Sequence, residues 1–229
     1  MNNSQLRVLV VGCGHMGASH ALAYDKHPGF QIVGLVSRGS SKNKLNNLLA
    51  QRVPLYEDFY QALSQCECQV VCISTYPDTH ETYALAALEA GAHVFLEKPM
   101  AITVQGAERI RSSAEKNQKK LVVGYILRHH PVWQRFVVEA QNLGKPLVMR
   151  MNLNQQSHGN EWAVHKKLME SLSPIVDCGV HYLDVMCQMT QAKPVAVSAV
   201  GVRLTPEIDK TQYNYGQLQI RFDDGSVGW

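Results

Sequence analysis

Leu6-Arg7-Val8-Leu9-Val10-Val11-Gly12-Cys13-Gly14-His15-Met16-Gly17 follows a short polar tail. Its first six residues are almost continuously aliphatic, the composition of a strand buried on both faces. The run stops at glycines spaced G-x-G-x-x-G, and a helical pattern carries on through His20, Leu22 and Tyr24. Strand, glycine turn and helix in that order form the dinucleotide-binding arrangement. The first glycine permits the tight turn, the second lets a pyrophosphate approach the backbone, and the third lets the helix pack on the strand. Free N–H groups and the dipole at the helix start favour the phosphate charge. His15, in the loop, and His20, on the helix, need no catalytic role.

Working outward, the helix is expected to end near His27-Pro28-Gly29, with strands at 31–36, 53–56 (a short edge), 70–74, 93–96 and 121–125. Helices are expected at 44–50, 58–64, 81–90 and 103–117 between them. This alternation argues for a parallel, doubly wound α/β sheet. After the second strand, where an acidic residue would bind a ribose 2′-hydroxyl, stand Ser37 and Arg38. A guanidinium pairs with a 2′-phosphate that a carboxylate would repel, so NADP is favoured over NAD, unless Arg38 simply points to solvent.

The loop from Thr75 to His80, which follows the strand end at Ser74, lies beside the presumed cofactor. Next comes Gly91-Ala92-His93-Val94-Phe95-Leu96-Glu97-Lys98-Pro99, a glycine-capped helix end and a strand that delivers a lysine to its carboxyl end, where open α/β sheets place ligands. Pro99 restricts Lys98 to extended conformations. The candidate dinucleotide contacts are Gly12, Gly14, His15, Met16, Gly17, Ser37, Arg38, Ser74, Thr75, His80, Glu97 and Lys98.

Beyond a boundary near Tyr125 the pattern changes, giving a dinucleotide-binding domain at 1–124 and a second domain at 125–229. A helix at 132–143 precedes long alternating stretches at 147–154, 195–204 and 213–222, which suggest an open-faced, mostly antiparallel sheet in an α+β domain. Between them Ser173-Pro174 starts a helix as N-cap and first residue, placing Asp177 and His181 four apart on one face. A carboxylate one turn from an imidazole can orient it for proton transfer. Equally, Asp177 can serve only the helix dipole with His181 packed beside it, or His181 can partner Asp184. Asn152, Gln155, His158, Trp162 and Lys166 are polar candidates for a pocket wall.

Composition excludes several classes. Among 229 residues, 45% hydrophobic and 18% charged content are those of a globular protein, and a net charge of +3 is too small to argue for nucleic acid. Basic runs at 116–120 and 165–167 lack interleaved aromatics and read as solvated faces. No signal-like or membrane-spanning run is present near the start, which points to the cytoplasm and no membrane partner. Six cysteines show neither paired zinc spacing nor a disulfide framework, and no metal is expected, although Cys66 and Cys68 could in principle chelate a soft ion.

Together, the glycines at 12, 14 and 17, Glu97-Lys98-Pro99, and Asp177 with His181 resemble the glucose-fructose oxidoreductase / inositol dehydrogenase (Gfo/Idh/MocA) family over Leu6 to Trp229. The resemblance implies a Rossmann domain followed by an open-faced sheet domain, and an NAD(P)-dependent oxidoreductase acting on a sugar, inositol or related polyol. It further implies that Lys98 hydrogen-bonds the reacting oxygen, that His181 is the acid/base and that Asp177 holds substrate or His181. Family members continue with further strands, so the second domain is expected to be incomplete, in a truncated or degenerate copy. A homo-oligomer, dimer or tetramer, is expected through the exposed C-terminal sheet. The alternatives are a non-catalytic sensor of dinucleotide or sugar on the same fold and, further off, a dimerisation scaffold.

Overall fold

The computed structural model describes residues 5–170 and 172–229. The chain divides into two compact units, Met1–Gly124 and Tyr125–Trp229. In the first, β1 (Leu6–Val11), α1 (His15–Lys26), β2 (Phe30–Val36), α2 (Ser41–Asn46), β3 (Leu55–Tyr56), α3 (Phe59–Gln65), β4 (Val70–Ile73), α4 (His80–Glu89), β5 (His93–Leu96), α5 (Val104–Lys116) and β6 (Leu121–Val123) follow one another. All six strands run parallel in the order β3-β2-β1-β4-β5-β6, the Rossmann order, with its switch point between β1 and β4.

Alternation along β1 divides the core between the two faces of the sheet. Leu9 and Val11 pack with Val71, Ile73, Val94 and Leu96 on one side. Val8 and Val10 join Ala21, Ile32, Leu35 and Leu45 on the other. Side-chain caps start two of the helices: Asp58 accepts the Gln61 N–H at 2.7 Å, and Thr103 that of Gly106 at 3.0 Å.

Helix α2 begins three residues before the expected 44–50 and ends at Asn46. The cause is side-chain chemistry in the loop: Asn46 exchanges two hydrogen bonds with the backbone of Val53, at 3.0 and 3.3 Å, and closes the turn that a longer helix would occupy.

The second unit carries α6 (Pro131–Asn142), β7 (Val148–Met149), α7 (Gly159–Leu168), a π-helical turn (Ile175–Gly179), α8 (Val180–Thr190), β8 (Pro194–Val202), β9 (Tyr215–Phe222) and β10 (Val227–Gly228). The sheet order is β7-β10-β9-β8, antiparallel except where β10 meets β7. Leu147, Met149, Val185, Met186, Met189, Ile220 and Phe222 form its core.

Two expectations are corrected here. The stretch 147–154 is no long strand: only Val148 and Met149 pair in the ladder, and the chain then leaves the sheet. Helix α7 was unforeseen, because it buries no residue completely and so carries no apolar stripe to betray its period. The helix expected from Ser173-Pro174 does start there, with the Val176 N–H on Ser173 Oγ at 3.2 Å. Its first turn is π rather than α.

Candidate functional site

In the β1–α1 turn the glycines have three different physical reasons. Gly12 adopts φ +90°, and a Cβ there would come within 2.3 Å of the Ser74 carbonyl oxygen. A Cβ at Gly17 would lie 1.7 Å from the Gly12 oxygen, so helix and turn touch backbone to backbone. Gly14 faces open space, with nothing within 4 Å of an added Cβ. Helix α1, twelve residues long, has no side-chain cap and no acidic residue in its first turn. Its first N–H groups are therefore available to an anion, and the free approach at Gly14 fits a pyrophosphate. His15 is exposed and Met16 half-buried at the start of this helix.

Adjacent strands bring the other candidates to the same edge of the sheet. Val11 pairs with Ile73, and Ile73 with Leu96, so Gly12, Ser74 and Glu97 leave three neighbouring strands side by side. The Ser74 N–H donates to the Val11 carbonyl at 2.7 Å, and that of Glu97 to Ile73 at 2.9 Å. Half-buried Lys98 follows. Thr75 Oγ1 meets Thr79 Oγ1 at 2.6 Å.

At the end of β2, Ser37 Oγ meets Ser41 Oγ at 2.8 Å and Arg38 is exposed. Beneath them lies a lysine of the polar stretch after Arg38 in the sequence. Lys42, buried, donates to the carbonyls of Ser37 at 2.8 Å and Gly39 at 3.1 Å and reaches Glu57 Oε1 at 3.3 Å. Its ammonium braces the loop, and the Glu57 carboxylate offsets its charge.

Two of the expected cofactor contacts have protein partners of their own. His80 is fully buried, with Nδ1 2.8 Å from the Pro99 carbonyl oxygen and Nε2 3.1 Å from that of Thr75. Each ring nitrogen faces a backbone carbonyl, of which a neutral imidazole can donate to only one, and His80 packs between the loop after β4 and that after β5. Burial lowers its pKa, against a smaller opposite pull from the two carbonyls. Glu97 is also buried, with Oε1 2.7 Å from His20 Nε2 and Oε2 accepting the Lys98 N–H at 3.2 Å. It is a brace too, and His20, set aside in the sequence, is its partner. No local signal could have paired positions 77 residues apart.

Cys13 is buried in the glycine turn, and burial pushes its thiol up to about 11, so it remains a neutral apolar filler. Cys66 turns its sulfur to Tyr56 Oη at 3.5 Å and the Val33 carbonyl at 3.6 Å. Among the described residues no group of three or more His, Cys, Asp or Glu is placed to hold a metal ion. None of the described helices is long and apolar enough to cross a membrane.

In the second unit, Asp177 belongs to the π turn and His181 to the first turn of α8. A π turn within a helix is rare and concentrates at functional positions. The His181 ring stands edge-on to Tyr125 at 6.2 Å. Asp184, the other candidate partner of His181, is engaged elsewhere: Arg128 Nε reaches its two oxygens at 2.9 and 3.1 Å, and Gln188 Nε2 lies 2.9 Å from it. Arg128 also stands 5.6 Å over the Tyr125 ring.

A wide concavity of about 1130 Å³ lies on the sheet of this unit, lined among others by Asn152, Gln155, His158, Trp162, Asp177 and Gln217. Amides, an indole and a carboxylate in its lining supply donors, acceptors and a flat apolar face. Lys166, the fifth expected wall residue, is drawn with Trp162 Nε1 onto Glu207, at 3.0 and 2.8 Å.

Comparison with known proteins bears on both units. A family model described as an oxidoreductase family with an NAD-binding Rossmann fold (GFO/IDH/MocA) matches residues 6–125, and the model of the GFO/IDH/MocA C-terminal domain matches 135–229. Inositol 2-dehydrogenase of Burkholderia ambifaria is 25% identical over 187 residues, which are 79% of this chain and 53% of that protein. The chain thus spans about half the length of the curated relatives it matches. The structure of myo-inositol 2-dehydrogenase from Lactobacillus plantarum superposes with a TM-score of 0.88 at 19% identity, covering 98% of this chain and 68% of that one. That of scyllo-inositol dehydrogenase from Lactobacillus casei, with bound NAD(H) and scyllo-inositol, gives 0.87 at 20%, with the same coverage of 98% and 68%. At these identities the two structures establish likeness of fold.

Proposed function

The chain belongs to the GFO/IDH/MocA oxidoreductase family, and from that premise we propose that it is a dehydrogenase or reductase of a sugar, inositol or related polyol that prefers NADP to NAD. The observation that carries the proposal is the registration of Val11, Ile73 and Leu96 across three strands. It sets the open glycine cradle and Lys98 along one carboxyl edge, where doubly wound sheets bind ligands. Arg38, exposed after β2, supports the choice of NADP.

A nicotinamide bound there supplies the hydride chemistry. The protein's own groups handle charge and proton. The Lys98 ammonium donates a hydrogen bond to the reacting oxygen and stabilises the negative charge that develops as the hydroxyl proton leaves. His181 accepts that proton in oxidation and returns it in reduction, and Asp177 holds substrate or orients the imidazole. The amide-rich concavity of the second unit supports a polyhydroxylated substrate. We further propose a dimer or tetramer, supported by exposed Val195, Val197 and Val200 on β8 at the sheet edge.

Lys98→Met tests the assignment. Turnover of myo-inositol, scyllo-inositol or a hexose with NADP or NAD should fall by roughly 100-fold or more, the usual effect of removing one group that stabilises an oxyanion. Dinucleotide affinity, measured by titration, should hold. Wild-type chain that binds dinucleotide but turns over no polyol, with a Lys98→Met variant that responds to dinucleotide and sugar like the wild type, would favour a sensor.

A further inference from the structure

Lys98 is held from both sides by buried side chains that the proposed chemistry does not consume. Its N–H donates to Glu97 Oε2 at 3.2 Å, and Glu97 Oε1 lies 2.7 Å from Nε2 of His20. The next carbonyl along the chain, that of Pro99, is bound by His80 at 2.8 Å. His20 stands on α1, the helix whose uncapped start faces the open cradle at Gly14, and its ring packs 4.6 Å from that of Phe95 on β5, the strand that ends before Lys98.

Glu97 is only 5% exposed. A carboxylate so far from water is tolerable only where donors satisfy its oxygens, so it cannot swing freely between partners. One donor to it is a side chain of α1, and another is the backbone of the lysine. A link therefore runs from α1 to Lys98 through one buried carboxylate.

We propose that His20 is a positioning residue that, through Glu97, couples occupancy of the phosphate cradle to the orientation of Lys98. An anion at the start of α1 engages the first N–H groups of the helix and fixes its place against the sheet. His20 moves with the helix, Glu97 follows His20, and the Lys98 backbone follows Glu97. A bound dinucleotide thus steadies the ammonium before substrate arrives. The inference rests on the reading of this unit as a dinucleotide site.

Hydrogen exchange at the Lys98 amide, the group bonded to Glu97, tests the link without requiring turnover. In the wild-type chain, saturating NADP or NAD should slow exchange at Lys98 by about tenfold or more. His20→Leu keeps the apolar contact with Phe95 but removes the donor; it should bind dinucleotide within about threefold of wild type and lose the slowing at Lys98. His20→Gln, whose amide can still donate to Glu97, should restore it. Where the leucine variant does not fold, His20→Asn serves, since its amide stops short of the carboxylate. Equal slowing in wild type and variant would overturn the coupling, as would variants that lose binding and protection together, which would make His20 a part of the fold alone. A wild-type chain that binds neither dinucleotide would instead strike at the function proposed above, and the coupling would fall with it.

Discussion

Arg38 and His80 show how differently two polar residues of one unit can be used. Arg38 is exposed just after β2, and positions 37–42 carry no acidic residue to receive a ribose hydroxyl. Arg38→Asp should therefore reverse cofactor preference. NADP affinity should fall by roughly tenfold or more, the worth of a charge-assisted hydrogen bond of about 1.5–3 kcal/mol, while NAD affinity rises; fluorescence titration with NADPH and NADH checks this. His80 is buried between two carbonyls, and its pKa lies below the ordinary 6.5. In the unfolded chain the imidazole takes a proton below about 6.5, whereas in the folded chain it resists. Stability from this residue is thus complete above pH 6.5 and declines as pH falls toward the lower folded value, by up to about 1.4 kcal/mol per pH unit. Urea unfolding at pH 7.5 and 5.5 should show a larger loss in wild type than in His80→Gln; equal losses would mean that the imidazole is already charged in the fold.

At the scale of elements, the β1–α1 turn separates a glycine needed by the fold from one needed by a ligand. Gly17→Ala forces a Cβ to 1.7 Å from the Gly12 oxygen and should destabilise by about 3 kcal/mol or more, visible as a lowered unfolding midpoint. Gly14→Ala meets no protein atom within 4 Å and should leave stability within about 0.5 kcal/mol, yet weaken dinucleotide binding by blocking the phosphate approach. The turn was legible in sequence because glycine spacing reports backbone proximity directly. The π turn at Ile175–Gly179 was not, since Ser173-Pro174 announces a helix start but not its width. Nor was α7, whose exposed surface gives no hydrophobic period.

At the scale of the whole molecule, β8 leaves Val195, Val197 and Val200 exposed on the outermost strand of the second sheet. Val197, 67% exposed, can be changed without touching the core. If the sheet is the assembly face, Val197→Lys should shift the sedimentation coefficient from oligomer to monomer with the unfolding midpoint little changed; an unaltered coefficient would place the interface elsewhere. By itself the sequence determined the parallel sheet, its glycine turn, the lysine at the end of β5 and the family, because hydrophobic period, glycine spacing and chain order are local properties of the chain. Only the tertiary structure decided that Glu97 and His80 have buried protein partners, that His20 and Lys42 are engaged at all, and that Asp184 pairs with Arg128. These roles depend on which distant groups share a buried space with a charge, and burial is a property of the packed fold rather than of any stretch of the chain.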